Sequence, residues 1–116
     1  AVELLTTEMR DAMAAADVVV SRAGMGTITE LAARRKPSVV IPLPNSPQEA
    51  NARVLEAANA AIVLRQGATT PQEMLEAVRG LVAHADRRER LADAIAAVLR
   101  TNVAAELVMR LRVLAK

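Results

Sequence analysis

The stretch "SRAGMGTITELAARRKP", Ser21–Pro37, follows a short apolar run, "ADVVV" (Ala16–Val20), and precedes another, "SVVIPL" (Ser38–Leu43). Runs of Val and Ile this short and this uniformly apolar fit strands buried on both faces. The segment "TITELAARR" has helical spacing, and Lys36-Pro37 stops it. Glycines therefore sit between a buried strand and the start of a helix. A tight turn needs small residues there, and so does a backbone that must come close to an anion. The spacing is neither GxGxxG nor a P-loop, so the pattern alone leaves both readings open.

Working outward, the same alternation repeats. "LLTTEMRDAMAAA" (Leu4–Ala16) carries Leu5, Met9, Ala12, Met13 and Ala16 at helical spacing, ahead of a strand over Asp17–Ser21. After Ser38–Leu43 comes a proline-bounded loop, "PNSP", then a helix over Gln48–Asn59 with Asn59 near its C-cap. "AAIVL" (Ala60–Leu64) is a third strand. Thr70 caps the next helix, with Pro71 at its first position and Glu73 three residues after the cap. That helix runs to about Ala85; a further one follows, "DRRERLADAIAAVLR", with Asp86 placed to cap and an apolar stripe of Leu91, Ala94, Ile95, Val98 and Leu99. "NVAAELVMRLRVLAK" closes the chain. Three strands alternating with helices predict an α/β fold on a parallel sheet with right-handed crossovers. The expected organisation is one partial domain over 1–116, with an alternating helix/strand core over 4–64 and C-terminal helices over 70–116.

Composition narrows the function classes. Hydrophobic residues make up 53% of the 116 and charged residues 24%, which is a globular rather than a disordered balance. No run approaches the roughly 18 to 20 apolar residues of a membrane span. There is no Phe, Tyr or Trp, so no base can stack on an aromatic ring of this chain, and the net charge is only +2. A nucleic-acid partner is therefore not expected. The lack of cysteine excludes disulfides and thiolate metal sites and fits a cytoplasmic location. No Asp, Glu or His cluster has metal-ligand spacing, so no metal and no cofactor are expected. His84, the sole histidine, sits late in a helix and reads as a surface or helix-end residue. Met9, Met13, Met74 and Met109 read as core filler.

In parallel α/β sheets, ligands bind at the carboxyl ends of the strands. Two loops here leave such ends in adjacent units, "RAGMG" and "PLPNSPQ". A glycine turn that runs into a helix offers unpaired N–H groups and the positive end of the helix dipole, an anion site without a lysine. Gly24 and Gly26 keep side chains out of the way of a diphosphate, and Thr27 adds a hydroxyl. Glu30 lies one turn further in. A carboxylate there suits a ribose diol, which would donate to it.

The sequence "ADVVVSRAGMGTITELAARRKPSVVIPLP…QEANARVLEAANAAIVL" closely resembles the C-terminal domain of family 28 glycosyltransferases, over about Met9–Leu64, with a compatible helical tail. Its motif is S-R-A-G-x-x-T-x-x-E, followed after a strand by P-L-P and Q-x-x-N-A. The resemblance implies the donor-binding, Rossmann-like C-terminal half of a GT-B fold. It implies an inverting hexosyltransferase whose donor is UDP-N-acetylglucosamine and whose acceptor is a lipid-linked peptidoglycan precursor, working at the inner face of the cell membrane. By position, Ser21, Gly24, Met25, Gly26 and Thr27 would bind the donor diphosphate and Glu30 the ribose. Gln48 and Asn51 would face the sugar, and Thr6 and Met9 would border the uracil. No catalytic residue falls within the chain.

Two departures stand out. Relatives usually carry a longer loop before the glutamine, often with a His or Gln immediately ahead of it, where this chain has Pro47 and so one donor fewer. The chain also has no counterpart of the family's N-terminal domain, which holds the acceptor, the expected base and the membrane contact. It therefore reads as a fragment, inactive alone. A UDP-sugar epimerase or glycolipid synthase of the same fold, or a non-catalytic interaction module with a purely structural turn, are the alternatives.

Overall fold

β-Branched residues cannot hide both faces of an extended strand without a layer on each side, and that requirement organises the chain. The structure, a computed structural model, describes residues 17–98. The helix expected at Leu4–Ala16, the closing segment, Leu99, and with them Thr6 and Met9, lie outside the described residues. Strands β1 (Val19–Ser21), β2 (Ser38–Val40) and β3 (Ile62–Val63) form a parallel sheet in the order β1-β2-β3, as the alternation predicted. The register pairs Val19 with Ser38, Val20 with Val39 and Ser21 with Val40, then Val39 with Ile62 and Val40 with Val63.

One face presents Val19, Val40 and Val63 to Ile28, Leu31, Ala52, Leu55, Ile95 and Val98, from the helices α1 (Met25–Ala33), α2 (Gln48–Ala57) and α4 (Ala85–Val98). The other presents Val18, Val20, Val39, Ile62 and Leu64 to Val78 and Leu81 of α3 (Pro71–Ala83) and to Leu91 of α4. The result is three layers, with α4 reaching both sides of the sheet. Of the stripe expected on that helix, Ile95 and Val98 are buried and Leu91 and Ala94 half-buried.

The strands are shorter than the apolar runs. The Ser38–Leu43 run leaves the ladder after Val40: Ile41 still donates to the Ser21 carbonyl at 2.8 Å, but Pro42 has no N–H to give. Helix α1 starts at Met25, two residues before the expected Thr27. The extended backbone of Gly24 (φ −68°, ψ 145°) serves as N-cap, and its carbonyl accepts from Ile28 N at 3.0 Å.

Both crossover helices end alike. Arg35 (φ 53°) and Asn59 (φ 50°) occupy the left-handed region. Lys36 N donates to Leu31 O at 3.0 Å and Ala60 N to Leu55 O at 2.9 Å, the six-residue closure of a Schellman motif. Asn tolerates that conformation, as expected of Asn59. Arg35 is a costlier occupant, and its guanidinium reaches Asp93 and Glu89 on α4. Thr70 and Glu73 form the expected capping box, with both bonds at 3.1 Å. At the other end of α3, Arg88 Nη1 donates to Leu81 O at 2.8 Å, and His84 is the exposed C-cap, its Nδ1 2.8 Å from Gly80 O.

Leu55 is fully buried between α2 and the sheet. Leu55→Ala is expected to lower the unfolding free energy by about 2–5 kcal/mol, read from the urea midpoint; a loss under half of that range would mean the α2 face is loosely packed.

Candidate functional site

The three strands release their loops at one edge of the sheet. From β1 comes Arg22-Ala23-Gly24, from β2 the segment Pro42–Pro47, and from β3 the segment Leu64–Thr70. Glycine is required neither by the backbone nor by packing in the first of these. No glycine has positive φ among the described residues. A Cβ added at Gly24 would meet only ordinary contacts at 3.9 Å, from Gln48 Nε2 and Thr27 Oγ1, and one added at Gly26 would meet nothing within 4 Å. The absent side chains leave open space above the start of α1.

Into that space face the orphan donors of the helix. Gly24, Met25, Gly26 and Thr27 have N–H groups with no acceptor among the described residues, and no side chain caps the helix. The Thr27 hydroxyl is likewise without a partner there. Thr29, by contrast, donates back to Met25 O at 2.9 Å. Gly26 and Glu30 are four residues apart and share one face of the helix, so nothing overhangs Glu30 from the helix start. Glu30 is about one-third exposed and ion-pairs with Arg34 at 3.1 Å. Ser21 sits beneath the turn; it is 4% exposed, and its hydroxyl is enclosed without a hydrogen-bond partner among the described residues, as is that of Ser38.

Gln48 and Asn51, on the first turn of α2, are brought to the same turn but grip its backbone. Gln48 Oε1 accepts from Ala23 N at 3.3 Å and from Leu43 N at 2.9 Å, and Asn51 Nδ2 donates to Ala23 O at 2.9 Å. The Nε2 group of Gln48 donates to no described residue. Pro47 is the N-cap of α2, and Ser46 does the capping chemistry beside it, accepting from Gln48 N at 3.2 Å and donating to Leu43 O at 2.7 Å. Asn45, at φ 54°, makes the bend.

Sequence reasoning did not single out Arg22, Ser46, Arg65 or Gln66. Arg22 Nη1 donates to Gln66 Oε1 at 2.8 Å, joining the first loop to the third. Together with Val20, Ser21, Ile41 and Met74, these two residues line a cleft of about 240 Å³. Arg65 forks onto Glu56 at 3.0 and 3.1 Å and also donates to Glu49 at 2.8 Å. The hydrogen bond from Arg65 holds the Glu56 carboxyl below its ordinary value of 4.5. A spacing rule sees none of these partners, because each pair is joined through the fold.

Such a geometry, an open helix start at the carboxyl edge of a parallel sheet, belongs to the α/β class and is of a kind that suits an anion. Residues 4–108 match the glycosyltransferase family 28 C-terminal domain, and the chain belongs to that family. A UDP-N-acetylglucosamine--N-acetylmuramyl-(pentapeptide) pyrophosphoryl-undecaprenol N-acetylglucosamine transferase of Sorangium cellulosum is 39% identical over 94% of this chain and 28% of that protein. The protein of the same name from Symbiobacterium thermophilum is 46% identical over 78% of this chain and 24% of that one. The crystal structure of Acinetobacter baumannii MurG superimposes with a TM-score of 0.67 at 29% identity, over 79% of this chain and 26% of that chain. The fold is thus the Rossmann-like, C-terminal part of a GT-B architecture. The chain spans about a quarter of the length of these relatives. Among the described residues no helix is long and apolar enough to cross a membrane.

Two outcomes are expected from this geometry. Gly26→Ala should raise stability by about 0.4–1 kcal/mol, since helical φ and open space both accept a methyl; a lower denaturation midpoint would show a structural need for glycine. Because the folded carboxyl of Glu56 is depressed, its contribution is present above pH 4.5 and lost as pH falls through the folded value. Glu56→Gln should therefore make stability less steep below pH 4.5 in acid denaturation; an unchanged slope would show that the pair does not couple to folding.

Proposed function

We propose that this chain is the donor-binding part of an inverting N-acetylglucosaminyltransferase, taking UDP-N-acetylglucosamine and serving a lipid-linked peptidoglycan acceptor at the inner face of the cell membrane. The observation that carries this reading is the pair of glycines that neither φ nor packing requires, beside four N–H groups with no acceptor among the described residues. The diphosphate would sit on the N–H groups of Gly24, Met25, Gly26 and Thr27, with the hydroxyl of Thr27 as a further donor. Ser21 contributes from beneath the turn, its own hydroxyl being enclosed.

The ribose diol would donate to Glu30, on the same helix face as Gly26. Gln48 would offer the sugar its Nε2 group, with Asn51 alongside, and Thr6 and Met9 would border the uracil. When the acceptor oxygen attacks the anomeric carbon, the bond to the UDP oxygen breaks and negative charge grows on the diphosphate. Fixed N–H groups and the α1 dipole stabilise that charge without reorganising. The chain thus serves the leaving group, and the acceptor-activating base belongs to the remainder of the transferase.

Titration of the 116-residue chain with UDP, followed by amide chemical shifts, is expected to move Gly24, Gly26 and Thr27 first. Glu30→Gln should weaken UDP by about 1.5–3 kcal/mol, because a charge-assisted bond becomes a neutral one. Stability should change less than UDP affinity, since an i,i+4 helix pair such as that with Arg34 is worth only about 0.3–0.5 kcal/mol. Tight ATP binding with none of UDP would overturn the proposal, and unchanged UDP affinity in Glu30→Gln would remove the ribose assignment.

A further inference from the structure

We infer that Asn51 is a positioning residue that aims the Gly24 N–H at the donor diphosphate, an inference that rests on the donor-binding reading above. Ala23 is fully buried, and both of its backbone polar groups are taken by α2: its N–H by Gln48 Oε1 at 3.3 Å and its carbonyl by Asn51 Nδ2 at 2.9 Å. Residues 48 and 51 are three apart on one helix, so a single face of α2 grips one residue of the turn.

The consequence follows from peptide planarity. None of the described peptide bonds is cis, so the Ala23 carbonyl and the Gly24 N–H lie in one plane and point in opposite directions. Fixing the carbonyl on Asn51 therefore directs the Gly24 N–H away from α2, and that N–H has no acceptor among the described residues. Glycine has many accessible backbone conformations, so an ungripped Ala23–Gly24 peptide could rotate its N–H out of the site. Asn51 removes that freedom before the ligand arrives, and preorganisation of this kind lowers the cost of binding. Gln48 adds a second restraint by joining the same residue to Leu43 N at 2.9 Å.

A direct sugar contact and a backbone grip make opposite demands on the ligand. A residue that only touches the sugar is indifferent to UDP, whereas one that aims the Gly24 N–H affects every ligand carrying the diphosphate.

The test uses the 116-residue chain with Asn51→Ala and with Asn51→Asp, which keeps the shape and loses the N–H donor. Calorimetry with UDP and with UDP-N-acetylglucosamine is expected to give the same weakening for both, on the order of tenfold. In the ligand-free chain the Gly24 amide should shift, while the amide of Leu81, on the far layer, stays in place. A loss confined to UDP-N-acetylglucosamine would make Asn51 a sugar contact and overturn the inference. Unchanged affinities with a lowered Tm, or unfolding of both variants, would make it a structural residue and overturn it too. If the unaltered chain binds neither nucleotide, the donor reading fails by itself; the Gly24 amide then decides the positioning claim, and an unmoved amide refutes it.

Discussion

Hydrogen bonding of Val19–Ser21 to Ser38–Val40 in parallel obliges the chain to travel back across the sheet before the second strand can begin. The same obligation recurs before Ile62–Val63. Helices α1 and α2 are those return journeys, and both lie on the face that presents Val19, Val40 and Val63. Everything at the carboxyl edge follows from this. The segments after β1, β2 and β3 emerge side by side, and each crossover helix begins at that edge, α2 with Ser46 accepting from Gln48 N and Glu49 N and α1 with N–H groups that have no acceptor among the described residues. A strand pairing three residues long thereby decides where a ligand can be met.

The first turn illustrates how a fold holds an open site without letting it collapse. Gly24 and Gly26 add no packing, and glycine loses more conformational freedom on folding than any other residue. Order is restored from outside the turn. Ala23 is held at both backbone groups by Gln48 and Asn51, and Gln48 also holds Leu43, so the loops after β1 and β2 are joined through one side-chain oxygen. Freedom and restraint are thus separated by a single residue: Ala23 is fixed, and the donors after it remain available.

Much of this was legible in the sequence, and the illegible part has a common cause. β-Branched runs announced the strands, Thr70-Pro71 with Glu73 announced the start of α3, and Asn59 announced the end of α2, because each signal is local. The strand ends were misjudged where an apolar run outlasts its hydrogen bonds: Ile41 and Leu43 are as hydrophobic as Val40, but Pro42 breaks the ladder. Helix α1 was placed two residues late because Gly24 caps through its backbone rather than a side chain. The glycine turn was visible as a feature, whereas the grip of Gln48 and Asn51 on Ala23 was not. It spans 25 and 28 residues of sequence, and no periodicity encodes it. Arg22 with Gln66, 44 residues apart, was hidden for the same reason.

Charge at the edge is arranged by the same economy. Arg65 lies next in sequence to Gln66, yet Glu56 and Glu49 both accept from it, and those bonds raise its already high pKa further. Its charge is therefore largely balanced locally by two carboxylates. Arg22 is held differently, by the neutral amide of Gln66, so its charge is not cancelled by an acid at that contact. Two residues further along the chain begin the N–H groups that carry the partial positive charge of a helix start. The edge thus presents positive potential through one guanidinium and a set of backbone dipoles, while the chain as a whole carries only +2. A potential made this way is local, and it acts over the few ångströms above Gly24 and Gly26, where no side chain intervenes.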